Sequence, residues 1–323
     1  MHTLLALSSV LLVVLSSYLT IGALRRLNGW SRRRDLQLLA LATPVVSLGV
    51  GLGGLHHFTD RICFLGAPSW DYLVGLVLPL IMGLIAVSAL ALGLVRLALL
   101  YRVVGRRGTP AGAHLRALAA GLAEQLQVPR PRVLLCPYNR PLALTCGLWR
   151  PTLLLSTWMV EHLDRRELEA VLAHELGHVA RRDYLVVWLA TVLRDAFFYL
   201  PTSWTVYRQL QQEKELASDD LAVSLTNRPL ALASALAKVW QQALGGQSLG
   251  TAPALLGADG SIERRIERLL TTSTSDVSQP RSRLVALGIG SSALIGLLIV
   301  EGLTVALTLA PMGCGPASQL WRL

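Results

Sequence analysis

Four long apolar runs constrain the fold of this chain more than any other feature. They cover about residues 4–24, 36–55, 72–100 and 284–309. Each can cross a hydrocarbon layer of ~30 Å as a helix that rises ~1.5 Å per residue. Only 15% of the residues are charged, whereas a soluble protein of this size needs a more polar surface. The sequence therefore predicts an α-helical membrane protein with four transmembrane helices.

The first run resembles a secretory signal peptide only in its position. No basic residues precede it, its positive charges follow it at Arg25 and Arg26, and it lacks a clear small-x-small cleavage site. We therefore expect it to be retained as a membrane span.

The arginines predict the orientation of the spans, because positive charge collects on the cytoplasmic side. Only Arg61 lies in the loop between the second and third runs. The other juxtamembrane arginines follow the first and third runs or precede the fourth: Arg25, Arg26, Arg32, Arg33, Arg34, Arg102, Arg106, Arg107, Arg281 and Arg283. We expect a multi-pass protein of the cell membrane with both termini outside. Residues 1–104 then hold three spans, 105–283 form a cytoplasmic domain, and 284–323 form the fourth span and a short external tail.

The formal net charge of +10 could also indicate a nucleic-acid partner. No basic stripe or aromatic stacking motif accompanies the charge, so we expect contact with the lipid bilayer and none with nucleic acid. The predicted topology places Cys63 and Cys314 outside, where a disulfide and two free thiols are both compatible with the sequence. Cys136 and Cys146 fall inside and are expected to be small buried residues.

The middle segment has the mixed composition of an α+β domain. Asp164 and Glu167 have the spacing of a capping box, which opens a helix. The predicted elements are a helix over 111–127, short strands within 133–136 and 142–155, a helix from Asp164 to about Arg182, a Gly-rich linker over 245–260, and an amphipathic helix that carries Ile262, Ile266 and Leu269.

One pattern on the Asp164 helix has the spacing of a metal site. The sequence His174-Glu175-Leu-Gly-His178 places two imidazoles one helical turn apart, on the same face. Such a pair can bind one zinc ion, with the intervening glutamate as general base. The motif alone is weak, because so short a pattern also arises by chance in ordinary amphipathic helices.

A third zinc ligand is predicted from the run around Glu215. Hydrolytic zinc sites use three protein ligands and keep one position open. Glu215 and Asp219 lie one helical turn apart, so the first can bind the metal while the second orients a ligating histidine. Taken alone, these acids would be a solvated charged face; beside the histidine pair they predict one zinc ion per chain, held by His174, His178 and Glu215.

These motifs together resemble the BlaR/MecR-type membrane metallopeptidases. The resemblance rests on the segments 142–155, Glu167–His178, Arg182–Asp183 and Glu215–Asp220, and on three spans before the peptidase domain with one after it. It implies a gluzincin-type fold that binds zinc through His174, His178 and Glu215. HtpX-type membrane proteases share the His-Glu-Leu-Gly-His and Glu-x-x-x-Asp motifs. Only a short tail follows Leu309, so direct β-lactam sensing through an external domain is not expected.

The predicted activity is that of a zinc metalloendopeptidase with Glu175 as general base. The resemblance to the BlaR/MecR-type family favours, as substrate, a cytoplasmic protein such as a transcriptional repressor, cleaved in a regulatory step. The alternatives are HtpX-like quality control of membrane proteins and a zinc-dependent membrane sensor that hydrolyses nothing. A base at Glu175 argues against the sensor, since metal binding alone needs only ligands.

Several neighbouring residues are assigned weaker roles. The segment 142–155 either offers an edge strand to an extended substrate or forms a plain structural hairpin. Arg181 and Arg182 are expected to face solvent or lipid headgroups, and Asp183 is a weak site candidate because a carboxylate at the end of a helix needs a partner. The apolar stretch Tyr184–Tyr207 is expected to be interfacial, re-entrant or packed in the domain, because Glu215 must return to the side of the histidines.

The choice between two neighbouring glutamates gives a first prediction. Glu213 and Glu215 lie about 200° apart on a helix, so only one of them can face the histidines. Glu215 has Asp219 one turn further on, whereas Glu213 has Ala217 there and is expected to face solvent. Glu215→Ala should lose most bound zinc and Glu213→Ala should keep it, as measured by metal analysis of the two purified variants. The opposite result would move the ligand to Glu213.

Overall fold

The computed structural model describes residues 77–147, 150–245 and 261–271, together with Arg34, Gln37, Leu38, Ala40 and Leu41. The first and fourth predicted spans, most of the second, the Gly-rich linker, Cys63 and Cys314 lie outside the described residues. The elements in chain order are α1 Leu78–Arg107, β1 Thr109–Pro110, α2 Ala113–Gln125, β2 Arg132–Cys136, β3 Ala143–Cys146, β4 Thr152–Ser156, α3 Thr157–His162, α4 Arg165–Ala180, α5 Asp183–Ala196, α6 Pro201–Thr226, α7 Pro229–Gly245 and α8 Ser261–Thr271.

Helix α1 contains the one segment, among the described residues, that is long and apolar enough to cross a membrane, Leu80–Arg106. Its large apolar side chains are mostly exposed, as at Leu84 (68%) and Val87 (65%). A soluble core helix would bury these groups, so the surface of α1 suits hydrocarbon. The helix continues past the predicted end of the apolar run through Arg102 and Arg106, because arginine is a good helix former.

The chain divides into two compact units. One comprises the residues up to Gly93 together with Leu189–Leu210, and the other comprises Leu94–Trp188 with the described residues from Gln211 onward. The second unit holds the four-stranded sheet and every residue of the predicted metal site.

The sheet of the second unit has the strand order β1-β2-β4-β3. β2 and β4 run parallel, whereas β1 and β3 pair antiparallel with their neighbours. Side chains alternate between two faces, as a pleated strand requires. Leu153 and Leu155 point into the core formed with the helices, and Leu154 points to a smaller cluster with Cys136 and Cys146. Both cysteines are buried and free, as predicted from the sequence.

Helix α4 begins at the capping box that the sequence predicts. The Asp164 carboxylate accepts from the amides of Arg166 and Glu167, and the Glu167 carboxylate accepts from the Asp164 amide at 2.8 Å. Glu167 also binds Ser234 and Lys238 of α7 at 2.6 and 2.7 Å. Because Glu167 is 3% exposed, the start of α4 is fixed against α7 by a buried, fully paired carboxylate.

The core of the second unit surrounds α4. Its residues from Leu168 to Gly177, apart from Glu169, are buried. The apolar side chains of α2, α3, α7 and α8 and one face of the sheet close around them. The metal motif of α4 therefore lies on the most enclosed helix of the described chain, where burial of apolar surface holds its position.

The stretch Tyr184–Tyr207 forms two helical segments rather than one continuous span. Helix α5 ends at Ala196, and α6 begins at Pro201. Within the first unit, Ala196 and Phe197 at this turn pack against Ala89 of α1. The two charged residues that interrupt the stretch pair with each other, since Arg194 lies 2.6 Å from Asp195. The guanidinium also stacks over the rings of Trp204 and Tyr207.

The helix lengths give a second prediction, for Trp204→Cys. Helix α5 has 14 residues, which reach ~21 Å and fall short of a ~30 Å hydrocarbon layer. A cysteine at position 204 should therefore react with a membrane-impermeant maleimide only from the side on which Tyr138→Cys reacts. Tyr138 is the control because it lies in an exposed loop. Labelling is measured in intact cells and in inverted vesicles, relative to the parent chain. Reaction of the two positions from opposite faces would show that the stretch spans the membrane.

Candidate metal centre

The structure brings three predicted ligands together in the second unit. His174 and His178 lie one turn apart on α4, and Glu215 faces them from α6. Their ligand atoms all lie within 4.8 Å of one another. Nε2 of His174 is 3.4 Å from Oε2 of Glu215, and Nε2 of His178 is 3.9 Å from Oε1. Two imidazole nitrogens and one carboxylate converge on one point, as three ligands of a single ion must.

A carboxylate lies behind each imidazole. Nδ1 of His174 is 2.9 Å from Oδ1 of Asp219, and Nδ1 of His178 is 2.7 Å from Oδ2 of Asp183. The His178 contact is a hydrogen bond, and Asp219 places its charge beside Nδ1 of His174. A carboxylate in this place favours a proton on Nδ1 and leaves Nε2 to bind a metal. The predicted place of Asp219 beside a histidine agrees with this geometry.

Two details of the weaker assignments are wrong. Asp183, the weak site candidate, does contact His178, but it does not end a helix, because the chain turns at Arg182, with φ of 55°, and Asp183 opens α5. Arg181 does not face solvent. Its guanidinium binds Asp183 and also donates to the Lys214 carbonyl at 2.8 Å and to the Ser218 hydroxyl at 3.1 Å. Arg181 therefore ties the end of α4 to α6.

Helices α4 and α6 meet at Gly177, the fourth residue of the His-Glu-Leu-Gly-His motif. A Cβ at this position would lie 2.9 Å from Oγ of Ser218. The same hydroxyl, which is fully buried, donates to the His174 carbonyl at 2.9 Å. The absence of a side chain at Gly177 thus lets α6 approach until Glu215 and Asp219 reach the two histidines.

Glu175 lies on the same helix and contacts an edge of the sheet. Its Oε2 accepts from the Thr145 hydroxyl at 2.6 Å, and the residue is 8% exposed. Thr145 belongs to β3, which is an edge strand of the described sheet. The candidate base is therefore held in one orientation beside the edge strand of the described sheet.

Burial and the neighbouring charges set the ionisation of the centre. Burial by itself would lower the pKa of His174, but its contacts with Asp219 and Glu215 raise that pKa to about 9. Burial opposes ionisation of Glu215, yet the contacts with His174 and Lys214 hold its pKa well below the ordinary value. The pKa values of Asp183 and Asp219 are also lowered despite burial, by contacts with His178 and His174. These carboxylates are anionic at neutral pH and favour positive charge between the imidazoles, either the proton that His174 binds or a metal ion that displaces that proton.

The donor set fits zinc. Two nitrogens and one oxygen, each imidazole backed by a carboxylate, are the ligands of many hydrolytic zinc sites. Glu213 takes no part in the cluster, but it is partly buried rather than facing solvent as predicted.

Sequence reasoning missed two residues of the centre. Thr145 stands 30 positions before Glu175 in the chain, and Arg265 of α8, which contacts both Asp219 and Glu215, stands 46 and 50 positions after them. Helical and strand periodicities relate residues a few positions apart, so they hold no signal for these contacts. The amphipathic pattern of α8 predicted its helix but not the role of its basic face.

An apolar helix that is long enough to cross a membrane and a His-His-Glu cluster are both features that a membrane-associated metallopeptidase requires. The family model described as BlaR1 peptidase M56 matches residues 71–269, more than half of the chain. The chain therefore belongs to the M56 peptidase family.

Curated relatives support the same class. The chain is 32% identical over 173 residues to Protease HtpX homolog 1 of Streptomyces coelicolor, covering 43% of this chain and 56% of the relative. It is 31% identical over 162 residues to the Protease HtpX homolog of Moorella thermoacetica, covering 39% and 54%. The homolog of Acaryochloris marina is 27% identical over 201 residues, covering 50% and 68%. The chain thus spans little more than half the length of the first two relatives.

The close approach at Gly177 gives a third prediction. In an exposed helix, Gly→Ala stabilises by up to about 1 kcal/mol, and Gly121 of α2 is a matched control because nothing lies within 4 Å of its added Cβ. Gly121→Ala should raise Tm. Gly177→Ala should lower it and reduce zinc retention, since overpacking costs about 1–3 kcal/mol. Thermal melts and metal analysis check both variants. A Gly177→Ala variant as stable as Gly121→Ala would contradict the importance of this contact.

Proposed function

We propose that this chain is a membrane-bound zinc metalloendopeptidase that cleaves a cytoplasmic protein in a regulatory step. In this proposal four transmembrane helices carry a cytoplasmic gluzincin-type domain, and both termini lie outside. The single observation that supports it best is the convergence of His174, His178 and Glu215 beside Glu175. The membership of the chain in the M56 family supports the peptidase class.

The proposal assigns one zinc ion per chain to Nε2 of the two histidines and the carboxylate of Glu215. Asp219 and Asp183 hold the histidines in the required tautomer through Nδ1. When bound, zinc supplies Lewis acidity that polarises a carbonyl and lowers the pKa of water. The buried surroundings of His174 and Glu175 strengthen these electrostatic effects, because the local dielectric constant is low.

Glu175 is assigned the proton transfers. It accepts a proton from the water that attacks the scissile carbonyl and then delivers that proton to the leaving amine. The hydrogen bond from Thr145 to Oε2 fixes the carboxylate and leaves Oε1 for this exchange. A carboxylate confined to one orientation loses little entropy when it reaches the transition state.

The edge strand β3 is assigned to the substrate. Segment 142–155 was predicted to be either an edge strand for the substrate or a structural hairpin. The structure is compatible with both, because β3 and β4 pair antiparallel and β3 lies at the edge of the described sheet. Thr145 of β3 contacts Glu175, so a peptide that adds to this edge lies next to the base. Backbone hydrogen bonds to β3 would then align the scissile bond.

HtpX-like quality control of membrane proteins is the second candidate function. Three curated relatives of this chain are named Protease HtpX homolog, and the same centre would serve either role. A sensor without catalysis fits less well, because metal binding gives no reason for a buried Glu175 held by Thr145.

The fourth prediction tests the base. Glu175→Gln keeps all three ligands and should bind zinc as the wild type does, but it should cleave β-casein about 10²–10⁴-fold more slowly, because it cannot accept a proton. Glu169→Gln is the matched control, since Glu169 lies on the same helix and pairs with the half-exposed Arg228. Purified full-length variants are assayed for zinc content and casein turnover. Wild-type turnover by Glu175→Gln would overturn the mechanism.

The same pair of chains distinguishes the two substrate classes. Cells that express the wild type or Glu175→Gln are compared for new protein N-termini. Regulatory proteolysis should give one or a few cleavage sites in a soluble cytoplasmic protein. Cleavage of many integral membrane proteins would instead favour quality control.

A further inference from the structure

Arg265 of α8 reaches into the metal centre from a distant part of the sequence. Its Nε and Nη2 donate to the two carboxylate oxygens of Asp219 at 2.7 and 2.8 Å. Its Nη1 donates to Oε2 of Glu215 at 3.1 Å. The side chain is 11% exposed. One guanidinium therefore joins two carboxylates that both contact His174.

The geometry suits arginine rather than lysine. The planar fork of the guanidinium binds both oxygens of Asp219 at once, which fixes the rotation of that carboxylate. Oδ1 of Asp219 is also the atom that lies 2.9 Å from Nδ1 of His174. The orientation of the imidazole thus depends on a carboxylate whose own orientation depends on Arg265.

Glu215 is held by the same group. A carboxylate that binds a metal through one oxygen leaves the other free to accept a hydrogen bond. Nη1 of Arg265 is a donor within reach of Oε2. Three of the five N–H groups of Arg265 are directed at protein carboxylates, so this side chain suits positioning and not contact with a substrate.

Helix α8 is anchored through an apolar face and a basic face. Leu269 is buried and Ile266 is packed in the main core, next to α7. One turn after Arg265, Arg268 pairs with Asp220 at 2.9 Å, in an exposed position. The apolar face of α8 therefore fixes the helix, and its basic face meets the acidic face of α6.

We propose that Arg265 is a positioning residue of the metal centre, which sets the geometry of Asp219, His174 and Glu215 for zinc. The assignment rests on the proposed zinc function of the three ligands. It adds α8 as a fourth helix to the three, α4, α5 and α6, that carry the other groups of the centre.

The test compares two variants at position 265 with a control on the same helix. Arg265→Gln removes the charge, Arg265→Lys keeps the charge without the fork, and Arg268→Gln breaks the exposed pair with Asp220. The purified full-length proteins are measured for zinc affinity by competition with a chelator, for the visible absorption spectrum of bound Co²⁺, and for Tm.

The fifth prediction is that Arg265→Gln binds zinc about 10- to 100-fold more weakly, the usual effect of losing a group that orients ligands. Its cobalt spectrum should differ from that of the wild type. Arg265→Lys should lie between the two, and Arg268→Gln should match the wild type. On β-casein, zinc-saturated Arg265→Lys should lose kcat while KM stays unchanged. A purely structural role would lower Tm and leave the zinc affinity and cobalt spectrum of the folded protein unchanged.

Two results overturn the assignment. Wild-type zinc affinity and cobalt spectrum in folded Arg265→Gln would do so while leaving the proposed function intact. If Arg265→Gln fails to fold, Arg265→Lys decides, and a folded lysine variant with wild-type zinc affinity and spectrum overturns the assignment. A wild-type chain that binds no zinc is a distinct outcome, because it overturns the proposed function together with this assignment.

Discussion

Helices α4 and α6 approach each other so closely at Gly177 that Ser218 contacts the backbone of the opposing helix, and the arrangement of the centre depends on this contact. The Ser218 hydroxyl donates to the His174 carbonyl at 2.9 Å. Glu215 comes three residues before Ser218 and Asp219 follows it directly. Once Ser218 is fixed, the helical geometry places both acids opposite the histidines. A larger residue at Gly177 would move Glu215 away from the two histidines, although all three ligands would still be present.

The centre buries two arginine–aspartate pairs, Arg181 with Asp183 and Arg265 with Asp219. Buried ion pairs often contribute little net free energy, because removing their charges from water costs as much as the pairing returns. Each of the two aspartate carboxylates also contacts one histidine. We therefore infer that the network fixes the orientation of the two imidazole rings. The stability of the fold comes from the apolar core around α4.

The parts of the structure that the sequence predicted are those set by local interactions. The capping box of Asp164 and Glu167 spans three residues, and the spacing of His174 and His178 is one helical turn. Glu215 is the exception: it lies 41 and 37 positions after the two histidines, and it was predicted from the need of a zinc site for a third ligand and from its spacing to Asp219. Contacts between distant segments could not be predicted this way, because no periodicity relates Arg265 to Asp219.

Asp183 shows how a wrongly predicted helix boundary affects the assignment of a site residue. A continuous helix would have left this carboxylate at an unfavourable C-terminal position. Arg182 instead adopts the left-handed backbone conformation. Asp183 therefore falls in the first turn of α5, where the helix dipole favours an acid. Arginine gives no sequence signal for that conformation, which asparagine or glycine would have given.

Under the proposed function, the edge position of β3 has a consequence for what can be cleaved. A segment that adds to a sheet edge must present a row of unpaired backbone N–H and C=O groups. Helices and internal strands of a folded partner have none to offer, since their backbone groups are already satisfied. A protease that aligns its target in this way discriminates by local unfolding as much as by side-chain identity. A stably folded protein would then resist cleavage until a linker, a frayed end or a segment released by a ligand became extended. That conformational step would limit the rate of cleavage.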